Sequence, residues 1–207
     1  MNKTICTALV AASLALLPAQ ASEVGLLLDK VTNDTLGNYK SSTSGLGIRG
    51  AYTVLDLRVT ELGIAATYHP KAKGDLDADY GNGANKIGRI GNEYLAIGVQ
   101  LDVKTPVSLH LGLDLRRETL SNENFGAYDA AGVYHLVIPA GDTTLIRPWF
   151  KAGIGFSIPL PVMSPFLRLE FAYTPKNYSA DSTNNSDDFR RAIAPKQQIA
   201  LYGGVRF

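Results

Sequence analysis

Apolar and polar residues alternate one by one along several segments of the chain. In residues 95–104 the odd-numbered positions are leucine, isoleucine or valine, and the even-numbered ones include Asp102. Residues 107–116 repeat the pattern, with leucines on one side and His110 and Asp114 on the other. A two-residue period places alternate side chains on opposite faces of a β-strand. Strands of roughly 9–11 residues cross a membrane when tilted, so both segments are predicted to be membrane-spanning strands.

The same alternation returns at 167–173 and 197–207, and less regular alternation marks further candidate strands at 24–30, 46–54, 57–68, 131–138 and 145–156. A closed barrel with both ends on one side of the membrane needs an even number of strands, whereas this sequence has nine candidates. The conflict falls between residues 118 and 164. We therefore predict eight strands, with one segment of 127–156 not spanning independently, and keep ten strands as the alternative.

Two kinds of barrel produce such alternation: a soluble barrel with an apolar interior, or a membrane barrel with an apolar exterior. The polar rows here contain both acids and bases, as a filled polar interior requires. Tyr68, Tyr94, Tyr173 and Phe207 lie towards strand ends and are expected to form an aromatic girdle at the membrane surface. The predicted fold is an all-β, antiparallel, up-and-down transmembrane barrel.

The connections between candidate strands differ in length. The breaks at 55–56 and 105–106 are tight, whereas 32–43, 69–91 and 175–196 are long and polar. Outer-membrane barrels combine short periplasmic turns with long extracellular loops, and we assign the two groups accordingly.

The first 21 residues have the layout of a cleaved signal peptide. Lys3 precedes an apolar run at 5–17, which is followed by Ala19-Gln20-Ala21. The run is shorter than the roughly 20 residues of a membrane-spanning helix, and A-x-A is a typical cleavage site. We predict cleavage before Ser22 and a barrel domain over 22–207. The alternative is a retained N-terminal anchor.

Composition and charge limit the remaining chemistry. The only cysteine, Cys6, falls in the predicted signal, so residues 22–207 have neither a disulfide nor a thiolate metal site. With 20 basic and 19 acidic residues, the chain has a net charge of only +1, so its charge does not suggest a nucleic-acid partner.

The C-terminal residues resemble a known family. The last strand ends in Val205-Arg206-Phe207, and Leu167 to Pro175 resembles the preceding strand of small outer-membrane barrels of the OmpX and OmpA-barrel type. Tyr173-Thr174-Pro175 and Tyr178-Ser179 are similar to YfaZ-type proteins. The resemblance implies an outer-membrane location and Phe207 as an assembly signal for the barrel assembly machinery. Tyr202 departs from the family pattern, because a glycine usually occupies that position.

Two motifs suggest ligands but have simpler explanations. Residues 45–50 match G-x-G-x-x-G, yet lie inside an alternating strand instead of between a strand and a helix. Asp75, Asp77 and Asp79 resemble the start of a calcium loop, although Lys86 stands where a bidentate glutamate belongs. We interpret the glycines as room for interior side chains and the aspartates as a solvated loop, with calcium as the alternative.

Ser108, His110 and Asp114 share one strand face and include the residue types of a hydrolase. Neighbours on one strand face are roughly 6.6 Å apart, too far for a nucleophile–base hydrogen bond without favourable rotamers. A structural polar network is the favoured interpretation. His69 and His135 lack metal-ligand spacing, and Trp149 fits the girdle or the interior equally well.

We expect the charged residues on inward faces to pair across strands and fill the narrow interior of an eight-stranded barrel. The predicted network consists of Arg49, Asp102, Lys104, His110, Asp114, Arg116, Arg147, Lys151, Arg168, Glu170 and Arg206.

The function expected from these features is a non-enzymatic, monomeric outer-membrane barrel with a plugged interior and binding loops. Its expected surroundings are outer-membrane lipid and lipopolysaccharide, and no cofactor is expected. A narrow porin-like channel, a lipid A-modifying enzyme and a soluble periplasmic barrel are the alternatives.

Overall fold

The structure is a computed structural model that describes residues 22–36, 39–79, 84–105, 107–128, 134–175 and 186–207. The predicted signal peptide, 1–21, lies outside the described residues.

Eight long antiparallel strands form a closed barrel. They are β1 Ser22–Leu36, β2 Tyr39–Asp56, β3 Thr60–Asp79, β4 Ala84–Val103, β5 Ser108–Asn122, β8 Gly141–Ser157, β9 Ser164–Tyr173 and β10 Gln197–Arg206. Their order around the barrel is β1-β10-β9-β8-β5-β4-β3-β2, so the first and last strands pair and close the ring. The predicted all-β, eight-stranded, up-and-down fold is confirmed.

The candidate strand that made the count odd is not part of the barrel. β6 (Phe125–Tyr128) and β7 (Tyr134–Ile138) form a separate two-stranded hairpin between β5 and β8. Of the predicted strand 131–138, the described residues 134–138 therefore do not span the membrane, whereas 145–156 lies within β8. His135 lies in β7.

The two ends of the barrel differ. Short connections, at 57–59, 104–107 and 158–163, lie at one end, which we call the turn end. The other end, called the loop end, bears the β6–β7 hairpin and a short helix, α1 (Ser186–Ala192), between β9 and β10. Among the described residues, no helix is long and apolar enough to cross a membrane.

Apolar side chains face outward from the barrel wall. On β5, Leu111 and Leu115 are 55% and 59% exposed, whereas His110 and Arg116 are 1% and 2% exposed. The two-residue period of the strands produces this separation, as the sequence predicts. The outside is therefore an apolar surface suited to lipid, and the inside is polar.

The predicted long loops at 32–43 and 69–91 are largely strand. β2 begins at Tyr39, β3 continues to Asp79 and β4 begins at Ala84. Alternation disappears in these extensions because their exposed residues, such as Lys73, are polar as well. The strands therefore continue beyond the apolar band at the loop end.

The prediction that Tyr94 belongs to the aromatic girdle on the outer wall is wrong. Tyr94 is 1% exposed and lies inside the barrel, whereas Tyr68 and Tyr173 are 38% and 40% exposed on the outer wall. Tyr94 has the same parity as Ala96 and Asp102, which also face inward, so the two-residue period contradicts its assignment to the girdle. Trp149 is fully buried and faces the interior.

Candidate functional site

Arg49 lies at the centre of the buried charges in the barrel interior. It projects from β2 and is 1% exposed. Its Nη1 donates hydrogen bonds of 2.8 Å to both carboxylate oxygens of Glu170 on β9, and its Nη2 donates to Gln100 Oε1 on β4 at 2.9 Å. One side chain therefore connects three strands that are not neighbours in the ring.

Arg168 extends this network along β9. Its Nη2 donates to Asp102 Oδ1 at 2.9 Å, and its Nη1 lies 3.4 Å from Glu23 Oε1 and 3.5 Å from Glu170 Oε1. The ring of His110 is held on the same carboxylate, with Nδ1 2.9 Å from Asp102 Oδ1. Arg168 thus faces three carboxylates, which offsets the cost of removing its charge from water.

A second set of ion pairs lies at the turn end. Arg206 bridges two carboxylates, at 3.0 Å from Glu23 Oε2 and 3.3 Å from Glu61 Oε2. Lys104, in the β4–β5 turn, lies 2.5 Å from Glu61 Oε1 and 2.8 Å from Asp56 Oδ2. These groups link β1, β2, β3, β10 and the β4–β5 turn across the opening of the barrel.

Aromatic rings and an arginine fill the interior nearer the loop end. The guanidinium carbon of Arg116 lies 4.2 Å from the centre of the Trp149 ring and 4.7 Å from that of Tyr94. Its Nη2 donates to Gln198 Oε1 at 2.6 Å. A cation held against two aromatic faces gains both packing and electrostatic stabilisation. The Arg116 side chain therefore fills part of the barrel interior.

His69 is also an interior residue. Its Nε2 lies 3.1 Å from Asp29 Oδ1, and its ring stacks on Tyr94 at 4.9 Å between centroids. A Cβ placed on Gly45 would lie 2.4 Å from the His69 ring. The G-x-G-x-x-G segment is part of β2, and this glycine leaves space for the histidine ring.

A short helical segment covers the loop end. This lid consists of α1 and residues 193–196. Phe189 and Ile193 pack against buried residues of the barrel strands and the hairpin, including Leu76, Ile90 and Ile138. An apolar layer thus lies over the polar interior.

Polar contacts fix the lid to the barrel. Arg190 donates to Asn122 Oδ1 at 2.6 Å and to the carbonyl of Pro139 at 3.0 Å. Asn33 donates to the carbonyl of Ala194 at 2.7 Å. Thr143 donates to Asp187 at 2.8 Å, and this bond lowers the pKa of Asp187, with a smaller contribution from Arg190. The lid is therefore held at several points around the rim.

The structure brings the eleven predicted network residues into one interior. Lys151 Nζ lies 2.8 Å from Asp114 Oδ1, and Arg147 forms a close ion pair with Glu118. Nine of the eleven are buried, whereas Lys104 and Arg206, at 30% and 21% side-chain exposure, line the turn end. The sequence analysis omits four of the acids that pair with these cations. They are Glu23, Asp56, Glu61 and Glu118.

The predicted hydrolase residues are not assembled into a triad. Within the described ranges, His110 hydrogen-bonds neither Ser108 nor Asp114, because its Nδ1 faces Asp102 and Asp114 lies beside Lys151. A histidine hydrogen-bonded to a carboxylate is thus present, but among the residues that the structure describes no serine hydrogen-bonds its ring.

The aspartates of the proposed calcium loop also take another form. Asp75 and Asp77 lie in β3, and Asp75 forms a close ion pair with Lys86 on β4. In the part of the chain that the structure describes, no group of three or more histidine, cysteine or acidic residues is placed to hold a metal ion.

The closed ring of eight tilted strands, its apolar exterior and its filled polar interior define the fold of an outer-membrane β-barrel protein. Comparison with solved structures agrees. OprG of Pseudomonas aeruginosa is similar with a TM-score of 0.52 and 12% identity, over 91% of this chain and 92% of that one.

Two further small barrels are similar at lower scores. Ail of Yersinia pestis has a TM-score of 0.49 and 12% identity, covering 90% of this chain and 98% of that one. Neisserial surface protein A has a TM-score of 0.46 and 15% identity, covering 90% and 94%. No protein-family model matches the sequence, and no curated protein matches it either. The similarity therefore concerns the fold.

Proposed function

We propose that this protein is a closed barrel of the outer membrane, which anchors a binding surface at its loop end and conducts no ions. The single observation that supports this function most strongly is the interior network around Arg49, Arg168 and Arg206. Their ion pairs cross the barrel between strands that are not neighbours.

A conducting interior needs a continuous column of water. Eight strands enclose a space just wide enough for side chains. Here that space holds the Arg49–Glu170 pair and, nearer the loop end, Arg116 between Tyr94 and Trp149. Opening a path would separate buried charges, which costs several kcal/mol for each pair broken. The interior favours a scaffold over a channel.

The loop end offers the surface for binding. β3 and β4 project there well beyond the apolar band, and the β6–β7 hairpin and the lid lie beside them. The lid's outer residues include Asp188 and Arg191, which are 36% and 44% exposed at their side chains. Loops on a rigid scaffold are the usual place for recognition. The ligand in this proposal is an extracellular macromolecule or the surface of another cell.

Planar-bilayer recording tests the closed interior. The full-length chain is expressed in a Gram-negative host and purified from its membranes in the folded form. We expect no stable conductance from the wild type. The matched variant is Arg49→Ala with Glu170→Ala, which removes the central pair together, and it is expected to conduct if it stays folded. Stable conductance of the wild type would favour the porin-like channel and overturn the proposal.

Two simpler experiments test location and chemistry. Cell fractionation, followed by gels of boiled and unboiled samples, should place the protein in the outer membrane with a heat-dependent mobility. Recovery by osmotic shock would favour the soluble barrel instead. Lipid A from cells that express the chain or the His110→Ala variant should be identical. A change that depends on His110 would favour the lipid A-modifying enzyme.

Two features of biogenesis belong to the same proposal. Phe207, 57% exposed at the end of the chain beyond β10, would act as the assembly signal for the barrel assembly machinery. Residues 1–21 would direct export and be removed before Ser22. N-terminal sequencing of the membrane-purified protein tests the cleavage, and Phe207→Ala should slow its insertion.

A further inference from the structure

The turn end carries an unusual number of exposed apolar side chains. In the turn between β8 and β9, Ile158, Leu160, Val162 and Met163 are 53%, 52%, 79% and 44% exposed. The turn, residues 158–163, also contains prolines at 159 and 161 and has no charged side chain. Water-facing turns are ordinarily polar, and contiguous exposed apolar residues mark a surface that is covered in use.

A second apolar turn lies across the barrel. Leu55, near the end of β2, and Leu57 and Val59, between β2 and β3, are 47%, 59% and 58% exposed. Arg58 stands among them with a φ of 66°, and its backbone N–H donates to Asp56 at 3.0 Å. In the ring order the two turns are separated by β4 and β5 on one side and by β1 and β10 on the other. They therefore lie on opposite sides of the turn end.

We infer that both turns are inserted into the headgroup region of the inner phospholipid leaflet, and that they hold the barrel at two opposite points. This rests on the proposed membrane location. The occupant follows from continuity, because Ile158 continues the lipid-facing row of β8 and Leu55 pairs with the lipid-facing Leu62 of β3. On β8 the row of Phe150, Ile154 and Phe156 leads directly to Ile158.

The length of that row agrees with this depth. From Ile146 to Phe156 the strand covers about 33 Å at roughly 3.3 Å per residue, and at a tilt near 45° this is about 23 Å across the membrane. The apolar band of outer-membrane barrels is about 25 Å tall. Residues 158–163 therefore lie where the band meets the headgroups. Arg58 places a cation at the same level, where anionic phospholipids attract basic residues.

Site-specific fluorescence measures the depth of both turns. Val162→Cys and Leu57→Cys are made in the full chain with Cys6→Ser, so that each carries one thiol, and are labelled with an environment-sensitive dye. Leu111→Cys is the mid-wall control, and Asp142→Cys, which replaces a side chain 65% exposed at the loop end, is the aqueous control. All four are placed in vesicles of phosphatidylethanolamine and phosphatidylglycerol.

We expect iodide, present on both sides, to quench the two turn labels several-fold less than the Asp142 label. Nitroxide lipids labelled near the headgroup should quench the turn labels more than those labelled near the chain end, with the reverse order for Leu111. Equal iodide quenching at the turns and Asp142, with Leu111 protected, would overturn the insertion alone. Equal iodide quenching at all four positions would overturn the membrane location as well.

Discussion

The ion pair between Arg49 and Glu170 provides a quantitative test of how the interior stabilises the barrel. The perturbation is a double-mutant cycle of Arg49→Met, Glu170→Gln and the two together. Both side chains are almost fully buried, at 1% and 4% exposure, and Arg49 Nη1 donates to both carboxylate oxygens of Glu170 at 2.8 Å. Removing one partner of such a pair leaves a buried charge uncompensated, which costs about 3–5 kcal/mol.

The neighbouring groups refine this magnitude. After Arg49→Met, Glu170 keeps Arg168 at 3.5 Å, so we expect a loss near the lower limit of about 3 kcal/mol. After Glu170→Gln, Arg49 keeps Gln100 and can still donate to the new amide oxygen. The double variant leaves no isolated charge at this position, and a coupling energy of about 2 kcal/mol is expected.

Urea unfolding from lipid vesicles measures these energies. Trp149 is the only tryptophan, is fully buried and lies beside Arg116, so its emission reports the loss of the interior directly. The control is Lys86→Met, which breaks an ion pair between side chains that are about half exposed and should cost under about 1 kcal/mol. A coupling energy below about 0.5 kcal/mol would refute the view that the pair acts as a unit.

Three further predictions concern packing and the lid. A Cβ on Gly98 would lie 2.3 Å from the carbonyl oxygen of Leu113, so Gly98→Ala should reduce the fraction with folded gel mobility, whereas Gly88→Ala, with a nearest contact of 3.4 Å, should not. Arg190→Ala removes the contacts with Asn122 and Pro139 and should expose residues 186–196 to protease while the barrel stays folded. The exposed Arg191→Ala is the control, and equal sensitivity would contradict the prediction. The pKa of Asp187 is lowered in the folded lid, so its contribution to lid stability is complete above the ordinary aspartate pKa of about 4. That contribution is lost as the pH falls through the lower folded-state pKa. Protease sensitivity should therefore rise only in that acid range, and Asp187→Asn should remove the rise.

The barrel wall was predictable because one physical constraint acts at every residue of the spanning segments. Lipid outside and a narrow polar interior inside enforce alternation, so Leu111 and His110 could be assigned to opposite faces from their positions alone. The same alternation also identifies interior residues that the sequence analysis did not assign to the interior. Tyr94 and Glu118 share the parity of Asp102 and Asp114, which places all four inside the barrel.

The loop end was not predictable in this way because the constraint ends with the lipid. In β3, Lys73 and Asp75 meet water on their outer side, so the sequence there reads as a loop although the strand continues to Asp79. The lid leaves only a weak signal. Phe189 in α1 and Ile193 directly after it are large apolar residues four positions apart in a polar segment. Nothing in the sequence identifies the barrel residues that they contact.

The partner choice within the network also depends on tertiary structure. Arg49 bonds Glu170, which is 121 positions away in the chain. The order of the strands around the ring is what brings these two residues together. His110 illustrates the same limit, since Asp102 on the neighbouring strand binds its ring although Asp114 is closer in sequence.

The pairing of β1 with β10 has a consequence for how this protein reaches its final form. Ten residue pairs, from Glu23 with Arg206 to Thr32 with Gln197, close the seam between the two most distant strands. Every other seam joins strands that are consecutive or nearly so in the chain. A chain without β10 would therefore leave β1 and β9 as two unpaired strand edges. Unpaired strand edges promote aggregation. The whole polypeptide must therefore be kept from pairing with other chains until β10 has joined the sheet.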